Sequence, residues 1–537
     1  MATCGEVLVK LLEAYGVELI FGIPGVHTVE LYRGLPMTRI RHITPRHEQG
    51  AGFMADGYAR VTGKPGVCFI VTGPGMTNIA TAMGQAFADS IPMLVISAVN
   101  ARSQLGMQQG HLHELRSQQN LVSGVAAFSH TLLDPQQLPG ILACAFTVFG
   151  SQRPRPVHIE IPLDVIVADM GETPLTAWAL PTLPEPSAAA VEKAVRFLNG
   201  SKRPIIIAGG GAANAAAEVC AIAELLDAPV FTTINGKGIM PPGHPLALNG
   251  NLGMKPLCEE LAACDVVLAV GTEFGETEMY PEPRPIVING VLIRVDIDPL
   301  QLTTVIPSAL PIVADSKLAC AAIIRDLQLR PALPRDGASR ATTLRANVNK
   351  VLWPACRIHR VLMDVVVSTL PDAIVVGDQT EPVYAANQFY QSPRPRSYFN
   401  SSTGYGTLGF GLPAAFGAKL GAPNRPVVCL IGDGGFQFSL PELASAVEAE
   451  IPVVVIVWNN GGYGEIKNFM IERQIPTIGV DIFTPNFVAL ARALGCNASC
   501  PESIEELTSE LAVSTTRSVP TLIEIRADSG LAMKFAG

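Results

Sequence analysis

The chain has 537 residues, of which 48% are hydrophobic and 16% charged, and its net charge is −9. This length exceeds what a single hydrophobic core supports and predicts about three domains. The chain has no run of basic residues that could neutralise a phosphate backbone, which argues against nucleic acid as a partner.

The N-terminal stretch MATCGEVLVKLLEAYG places Glu and Lys among apolar residues at helical spacing. It predicts an amphipathic helix and not a secretory signal segment. Apolar runs such as LPGILACAFTVFG are shorter than the roughly 18 to 20 residues that cross a bilayer, so no membrane association is expected. The eleven cysteines are scattered without a CxxC pair, which is typical of reduced thiols in a cytoplasmic protein.

Short runs rich in Val and Ile recur along the chain, and each ends in a turn or loop. They read VCFIVTGPG, PIIIAGGGA, DVVLAVGTE, AIVVGDQ, VVCLIGDGG and PVVVIVWNN. Such runs, followed by helical stretches, are typical of parallel strands buried on both faces and joined by crossover helices. The sequence therefore predicts an α/β fold in which each domain is a parallel sheet flanked by helices.

Two proline-rich segments with weak periodicity, 171–187 and 327–340, are predicted to be linkers. They divide the chain into an N-terminal domain (1–170), a central domain (188–327) and a C-terminal domain (345–537).

Several residues of the N-terminal domain lie in turns or at a helix start and, taken alone, are typical of ordinary strand-to-helix structure. In chain order they are Pro24 and His27 in FGIPGVHT, Glu48 in TPRHEQGAGFMADGYAR, Thr72 and Asn78 in TGPGMTN, and His113 in GHLHEL. Glu48 opens a helix of small and apolar residues, where a neutral carboxyl group is accessible near pH 7. Each histidine either makes a structural hydrogen bond or transfers protons.

In the C-terminal domain, Asp433 and Asn460 each follow a Val/Ile-rich strand. Ligands of parallel sheets bind at the carboxyl ends of strands, so the two side chains converge if these strands are neighbours. A carboxylate and an amide oxygen suit Mg²⁺, which leaves other positions open for a phosphorylated ligand. Gly434 and Gly435 allow close approach of phosphate oxygens, and a helix expected to start near Leu440 adds a favourable dipole.

The segment GDGGFQFSLPELASAVEAEIPVVVIVWNN resembles the signature of the thiamine diphosphate enzymes. This resemblance implies that Asp433, Asn460 and the backbone carbonyl of Gly462 hold Mg²⁺. It also implies that the N–H groups of Gly434 and Gly435 contact the diphosphate of the cofactor.

Further segments carry the same resemblance. The HE…GYAR segment implies that Glu48 shares a proton with the aminopyrimidine ring of the cofactor. The segment GYGTLGFGLPAAFGAKL resembles one whose glycine carbonyl, here Gly406, accepts from the 4′-amino group, and whose apolar residue, here Leu408, holds the cofactor bent. The remaining cofactor contacts expected from the family are Pro24, Thr72, Asn78, Gln379 and Thr380.

The resemblance also bears on assembly and on FAD. In this family the cofactor bridges N- and C-terminal domains of different subunits, so a homodimer or homotetramer is expected. The likeness is strongest to the acetolactate synthases, which carry FAD in the central domain. This chain instead reads GMKPL and GTEFGETE at the matching places, with Glu273 where an Arg would face the flavin, so FAD is not expected.

The substrate side differs from the synthases as well. Glu465 follows the paired asparagines where the synthases have an apolar residue, and it either faces the pocket or turns into solvent. The N-terminal segments resemble the 5-guanidino-2-oxopentanoate (2-ketoarginine) decarboxylases, and a guanidinium pairs strongly with a carboxylate. The expected activity is therefore decarboxylation of this small 2-oxo acid, with Glu465, His27 and His113 in the pocket. The alternatives are acetolactate synthase and a non-catalytic protein on the same fold.

Overall fold

The computed structural model describes residues 2–279, 286–331 and 333–535, which form two compact units. The first unit comprises Met1–Thr182, Tyr405–Pro501 and Ser509–Arg526, and the second comprises Leu183–Gly404, Glu502–Thr508 and Ala527–Gly537. None of the helices in these described ranges is long and apolar enough to cross a membrane.

The N-terminal segment of the first unit forms a parallel sheet with strand order β2-β1-β3-β4-β6-β5. Its strands are β1 (Leu19–Gly22), β2 (Arg41–Ile43), β3 (Gly66–Ile70), β4 (Met93–Val99), β5 (Phe128–Thr131) and β6 (Val157–Pro162). Its helices are α1 (Cys4–Ala14), α2 (Val29–Tyr32), α3 (Glu48–Thr62), α4 (Pro74–Ala88), α5 (Gln118–Val122), α6 (Leu138–Ser151) and α7 (Leu163–Ile166).

Local sequence explains where the first helices begin and end. The amphipathic helix expected at the N-terminus is α1, and Thr3 and Glu6 form a reciprocal capping box at its start. Helix α3 begins at Glu48 and ends at Gly63, whose φ of 73° is a left-handed conformation that glycine adopts without strain. Strands β3 and β4 are buried along their whole length, as the apolar runs predict.

The second unit contains a second parallel sheet, with strand order β11-β10-β9-β7-β8. These strands are β7 (Pro204–Ala208), β8 (Val230–Thr232), β9 (Val266–Val270), β10 (Val291–Asp296) and β11 (Leu310–Val313), and the unit also holds the parallel pair β12 (Ile374–Gly377) and β13 (Tyr398–Asn400). Its helices are α8 (Ala188–Gly200), α9 (Ala216–Leu226), α10 (Lys255–Ala263), α11 (Ser316–Leu327), α12 (Gly337–Val351), α13 (Cys356–Thr369) and α14 (Glu381–Phe389).

The C-terminal segment adds parallel strands in the order β14-β15-β17-β16 to the first unit. They are β14 (Val427–Gly432), β15 (Val454–Asn459), β16 (Asn497–Ser499) and β17 (Thr521–Arg526). The helices of this segment are α15 (Gly411–Gly421), α16 (Asp433–Ser439), α17 (Glu442–Glu448), α18 (Gly464–Glu472), α19 (Phe487–Ala493), α20 (Ile504–Ser514) and α21 (Gly530–Phe535). The start of α20 and all of α21 belong to the second unit.

Parallel sheets flanked by helices thus confirm the predicted α/β class. The first predicted linker, 171–187, contains no helix or strand. The second prediction, 327–340, was partly wrong, because α12 already begins at Gly337. The backbone N–H groups of Gly337 and Ala338 bind the Asp227 carboxylate, which ties the start of this helix to the central sheet domain.

Candidate active site

The ends of β14 and β15 bring Asp433 and Asn460 together. The strands are paired in parallel with Gly432 opposite Trp458, so the residues that follow them emerge side by side. The backbone N–H of Asn460 donates to Asp433 Oδ1 at 3.3 Å.

Three oxygen atoms converge at this point. In one orientation of the Asn460 amide, its nitrogen donates to Asp433 Oδ1 at 3.1 Å and to the Gly462 carbonyl at 2.9 Å. In the other orientation the amide oxygen takes that position. Oxygens bound to Mg²⁺ at about 2.1 Å and at right angles lie about 3.0 Å apart, so the distances from the Asn460 amide to the other two oxygens suit shared ligands of one Mg²⁺.

Asp433 is suited to a cation by its surroundings as well. It is buried, and its Oδ2 has no hydrogen-bond partner among the described residues. Burial raises the pKa of this carboxyl group, while backbone N–H groups, including those of Asn460, Gly462 and Gly434, lower it. An ionised, buried carboxylate with a free oxygen is stabilised when a cation occupies the site.

Two glycines beside this carboxylate have no room for a side chain. A Cβ atom on Gly434 would lie 2.7 Å from the Tyr463 ring, and one on Gly462, where φ is 148°, would lie 2.2 Å from the Val480 carbonyl. A helix does begin near the predicted Leu440, namely α17 at Glu442, but a further helix that was not predicted, α16, already begins at Asp433. The N–H groups of Gly434 and Gly435 therefore belong to the first turn, where they lack intrahelical acceptors.

Glu48 lies half-buried at the start of α3, where its helix packs against α4. Its Oε2 accepts a hydrogen bond from Asn78 Nδ2 at 2.9 Å. A Cβ atom added to Gly75 would lie 3.3 Å from Glu48 Oε1. The absence of a side chain at Gly75 therefore leaves space beside this carboxylate at the start of α4. The structure thus brings together two residues, Glu48 and Asn78, that the sequence analysis chose separately.

The loops next to α4 contain Thr72 and Pro24. Thr72 is fully buried, and its hydroxyl has no hydrogen-bond partner within the described part of the chain. Pro24 is exposed in the loop after β1, and the neighbouring Gly25 packs against Val71. Both therefore lie near the end of β3, where α4 begins.

His27 and His113 form a pair whose ring centres are 5.0 Å apart. His27 is 8% exposed, and the Nδ1 atoms of both rings are buried without a hydrogen-bond partner in the described ranges. Burial, and then the charge of His113, lower the pKa of His27. His113 adopts a φ of 60°, and a Cβ on Gly73 would lie 2.5 Å from its carbonyl oxygen, so the pair sits against the start of α4.

The turn that contains Gly406 and Leu408 is held by α4 within the first unit. Gly406 has a φ of 78°, and Leu408 is half-buried. The backbone N–H and hydroxyl of Thr407 donate to Gln85 Oε1 at 3.3 and 3.0 Å. The sequence analysis missed Gln85, although a glutamine within the apolar helical stretch IATAMGQAFA is a signal of a specific buried partner.

The remaining candidates are Gln379, Thr380 and Glu465. Gln379 and Thr380 belong to the second unit, where Gln379 Nε2 donates to the Ser401 carbonyl at 2.7 Å and Thr380 is the N-cap residue of α14. Glu465 is half-buried in the first turn of α18, a helix without a fully buried residue.

The fold and the geometry at the ends of β14 and β15 define an α/β enzyme that holds a phosphorylated cofactor at the carboxyl ends of parallel strands. Comparisons with known proteins agree. Residues 2–121, 191–323 and 378–525 match the N-terminal TPP binding domain, the central domain and the C-terminal TPP binding domain of the thiamine pyrophosphate enzymes.

The chain belongs to the thiamine pyrophosphate enzyme family, which confirms the resemblance found in the sequence, and thiamine diphosphate is its cofactor. It is 47% identical to a probable 2-ketoarginine decarboxylase of Pseudomonas aeruginosa, over 98% of this chain and 94% of that protein. It is 32% identical to acetolactate synthase isozyme 1 large subunit of Escherichia coli, over 98% and 94%. A probable acetolactate synthase large subunit of Methanococcus aeolicus is 30% identical, over 99% and 93%.

Proposed function

We propose that this protein is a thiamine diphosphate- and Mg²⁺-dependent decarboxylase that converts 5-guanidino-2-oxopentanoate to 4-guanidinobutanal and CO₂. The observation that carries the cofactor assignment is the convergence of the Asp433, Asn460 and Gly462 oxygens. The choice of substrate is supported by the full-length similarity to the Pseudomonas decarboxylase. The same similarity supports a role in arginine catabolism, and the scattered cysteines without a CxxC pair support a place in the cytoplasm.

The residues present fit the cofactor and its metal. Asp433, Asn460 and the Gly462 carbonyl would hold Mg²⁺, and the N–H groups of Gly434 and Gly435 would bind diphosphate oxygens. When bound, thiamine diphosphate supplies an electron-accepting ring that allows a 2-oxo acid to lose CO₂.

By the resemblance, Glu48 would share a proton with the aminopyrimidine ring. Its hydrogen bond from Asn78 occupies Oε2, which would leave Oε1 for that contact. The unpartnered hydroxyl of Thr72 and the exposed ring of Pro24 would line the same pocket.

His27 and His113 supply a route for the proton that replaces CO₂ on the product. The lowered pKa of His27 keeps its ring neutral near pH 7, so it can accept a proton and pass it on. The centres of the two rings lie 5.0 Å apart, so the two imidazoles form one local cluster.

Glu465 would select the substrate through its guanidinium group. A carboxylate accepts two parallel N–H bonds from a guanidinium, and an uncharged tail of the same shape cannot offer the same charge-assisted pairing. The pairing would therefore favour the guanidino acid over neutral 2-oxo acids.

The geometry of α4 supports an assembly of at least two subunits. Asn78, which binds Glu48, and Gln85, which binds the residue after Gly406, lie two turns of α4 apart, or about 11 Å. In this family, Glu48 and the Gly406 carbonyl that contact one aminopyrimidine ring would come from different subunits. We therefore propose a homodimer or homotetramer in which each site combines residues of two copies, including Gln379 and Thr380.

The test compares CO₂ release from the guanidino acid with release from its uncharged isostere, 5-ureido-2-oxopentanoate. We expect kcat/KM to be about 100-fold higher for the guanidino acid, and Glu465→Gln to reduce this ratio to within about fivefold. Glu472→Gln, an exposed carboxylate at the end of the same helix, should leave the ratio unchanged.

Equal rates for the two acids would overturn the proposed role of Glu465. Acetolactate production from pyruvate that exceeds CO₂ release from every other 2-oxo acid would favour the synthase function instead.

A further inference from the structure

A series of hydrogen bonds between buried polar groups of the first unit ends at the turn that contains Gly406. Arg60, whose side chain is 5% exposed, donates from Nε to Asp56 Oδ1 and from Nη2 to Asp89 Oδ2, both at 2.6 Å. Gln85 Nε2 donates to the same Asp89 oxygen at 2.8 Å. The other end of the Gln85 amide accepts both the N–H and the hydroxyl of Thr407.

The same elements hold the turn on both sides of Thr407. The Tyr405 ring lies against Gly84, where an added Cβ would come within 2.5 Å of it. The Arg60 guanidinium lies 5.4 Å from the centre of the Phe410 ring, which also contacts the Phe53 ring edge to face. The segment from Tyr405 to Phe410 is therefore fixed by side chains of α3 and α4.

The orientation of the Gln85 amide is determined by its partners. Asp89 is an acceptor and requires the nitrogen, so the oxygen must face Thr407. Asp89 is in turn fixed by Arg60. The amide nitrogen of Gln85 is thus paired with Asp89 and its oxygen with Thr407. Removing this amide leaves the Thr407 N–H without its acceptor.

We propose that Gln85 is a positioning residue for the cofactor: by fixing the peptide of Thr407, it orients the Gly406 carbonyl toward the 4′-amino group of thiamine diphosphate. This proposal rests on the proposed function, which assigns that contact to Gly406. It adds a residue of α4 that acts through the backbone of a turn far away in sequence.

The test measures binding of two ligands by titration calorimetry in the presence of Mg²⁺. One ligand is thiamine diphosphate, and the other is its analogue without the 4′-amino group. Gln85→Met keeps the side-chain length but removes both hydrogen-bonding groups. We expect it to weaken thiamine diphosphate binding about tenfold and analogue binding less than twofold.

Thr407→Val is a milder second variant, since it removes the hydroxyl and keeps the N–H group. We expect a loss of about threefold for thiamine diphosphate alone, and this variant carries the test if Gln85→Met does not fold. Gln119→Met, an exposed amide that donates to the Ser129 carbonyl, is the matched control and should change neither affinity.

Equal losses for both ligands, or no loss for thiamine diphosphate, would overturn the role of Gln85. Failure of the unsubstituted protein to bind thiamine diphosphate would instead overturn the proposed function.

Discussion

Both units contain an apolar strand followed by glycines, but the pattern has a different role in each unit. After β14 in the first unit, one buried oxygen of Asp433 has no hydrogen-bond partner among the described residues. Gly434 and Gly435 follow in the first turn of α16, where their N–H groups lack intrahelical acceptors. After β7 in the second unit, the N–H of Gly209 donates to the Val270 carbonyl and that of Gly211 to the Gly271 carbonyl. The first pattern leaves groups for a ligand, whereas the second satisfies its groups within the fold.

The neighbouring strands of the second unit reinforce this contrast. Arg294 on β10 is buried, and its guanidinium donates to the carbonyls of Thr272 and Thr304 at 3.1 and 2.9 Å. Glycine turns therefore indicate a ligand site only when their polar groups lack partners in the protein.

The largest effect is expected for Glu48→Gln. Turnover of the 2-oxo acid should fall by about 100-fold to 10,000-fold, because an amide cannot hold the required proton. Glu278→Gln tests the comparison, since burial raises the pKa of this second-unit carboxyl to about 7 and yet no site is assigned to it. The steady-state turnover of the Glu278→Gln variant should stay within twofold of that of the unsubstituted enzyme. A loss as large as that of Glu48→Gln would contradict the difference drawn between the two units.

Asp433→Asn should weaken binding of thiamine diphosphate with Mg²⁺ about 100-fold, because the metal loses its anionic ligand. Calorimetric titration measures this affinity directly. Asp296→Asn is the control in the second unit, where the carboxylate accepts from the backbone N–H of Asp298 at 2.9 Å. The comparison is contradicted if both substitutions weaken binding alike.

Gly434→Ala and Gly211→Ala sharpen the comparison between the two turns. The new methyl group would approach the Tyr463 ring at 2.7 Å in the first case and the Gly271 backbone at 3.0 Å in the second. We expect Gly434→Ala to lower cofactor affinity by about tenfold or more, and Gly211→Ala to lower only the thermal stability. Thermal unfolding and cofactor titration of both variants distinguish these outcomes.

The last prediction concerns the stability, and not the activity, of the first unit through His158 in its core. Its ring nitrogens bond to Ser97 and Ser129, and burial lowers its pKa to about 3. In the unfolded chain this histidine takes up a proton near pH 6.5, whereas the folded chain does so only near pH 3. The stability it contributes is therefore fully present above pH 6.5 and is lost as the pH falls toward 3.

The stability advantage of the unsubstituted protein over His158→Gln should shrink by about 1.4 kcal/mol per pH unit between pH 6 and pH 4. Urea unfolding at several pH values measures this difference. A constant difference across this range would show that His158 is not neutral in the folded state.

The parts of the fold and site that could be predicted depend on short-range sequence. Runs such as VVCLIG and VVVIVW predict buried parallel strands, and the residues after them follow from the topology of parallel sheets. The convergence of Asp433 and Asn460 could therefore be expected before the structure was known. The start of α16 could not, because Asp433, Gly434 and Gly435 have poor helix propensity and only the tertiary setting makes this turn helical.

Contacts between segments that are distant along the chain could not be predicted from the sequence. The pairing of His27 with His113 depends on two loops whose paths no local pattern defines, and each histidine alone is ambiguous. The bond between Gln85 and Thr407 joins residues 322 positions apart. Such contacts depend on how helices of the N- and C-terminal segments pack, which periodicity does not specify.

The most direct test of this account is a crystal structure of the protein with thiamine diphosphate and Mn²⁺ in place of Mg²⁺. The account predicts an anomalous difference peak within bonding distance of the Asp433 carboxylate, the Asn460 amide oxygen and the Gly462 carbonyl, with diphosphate oxygens on its other side. A bound cofactor whose metal lies away from these three oxygens would contradict it.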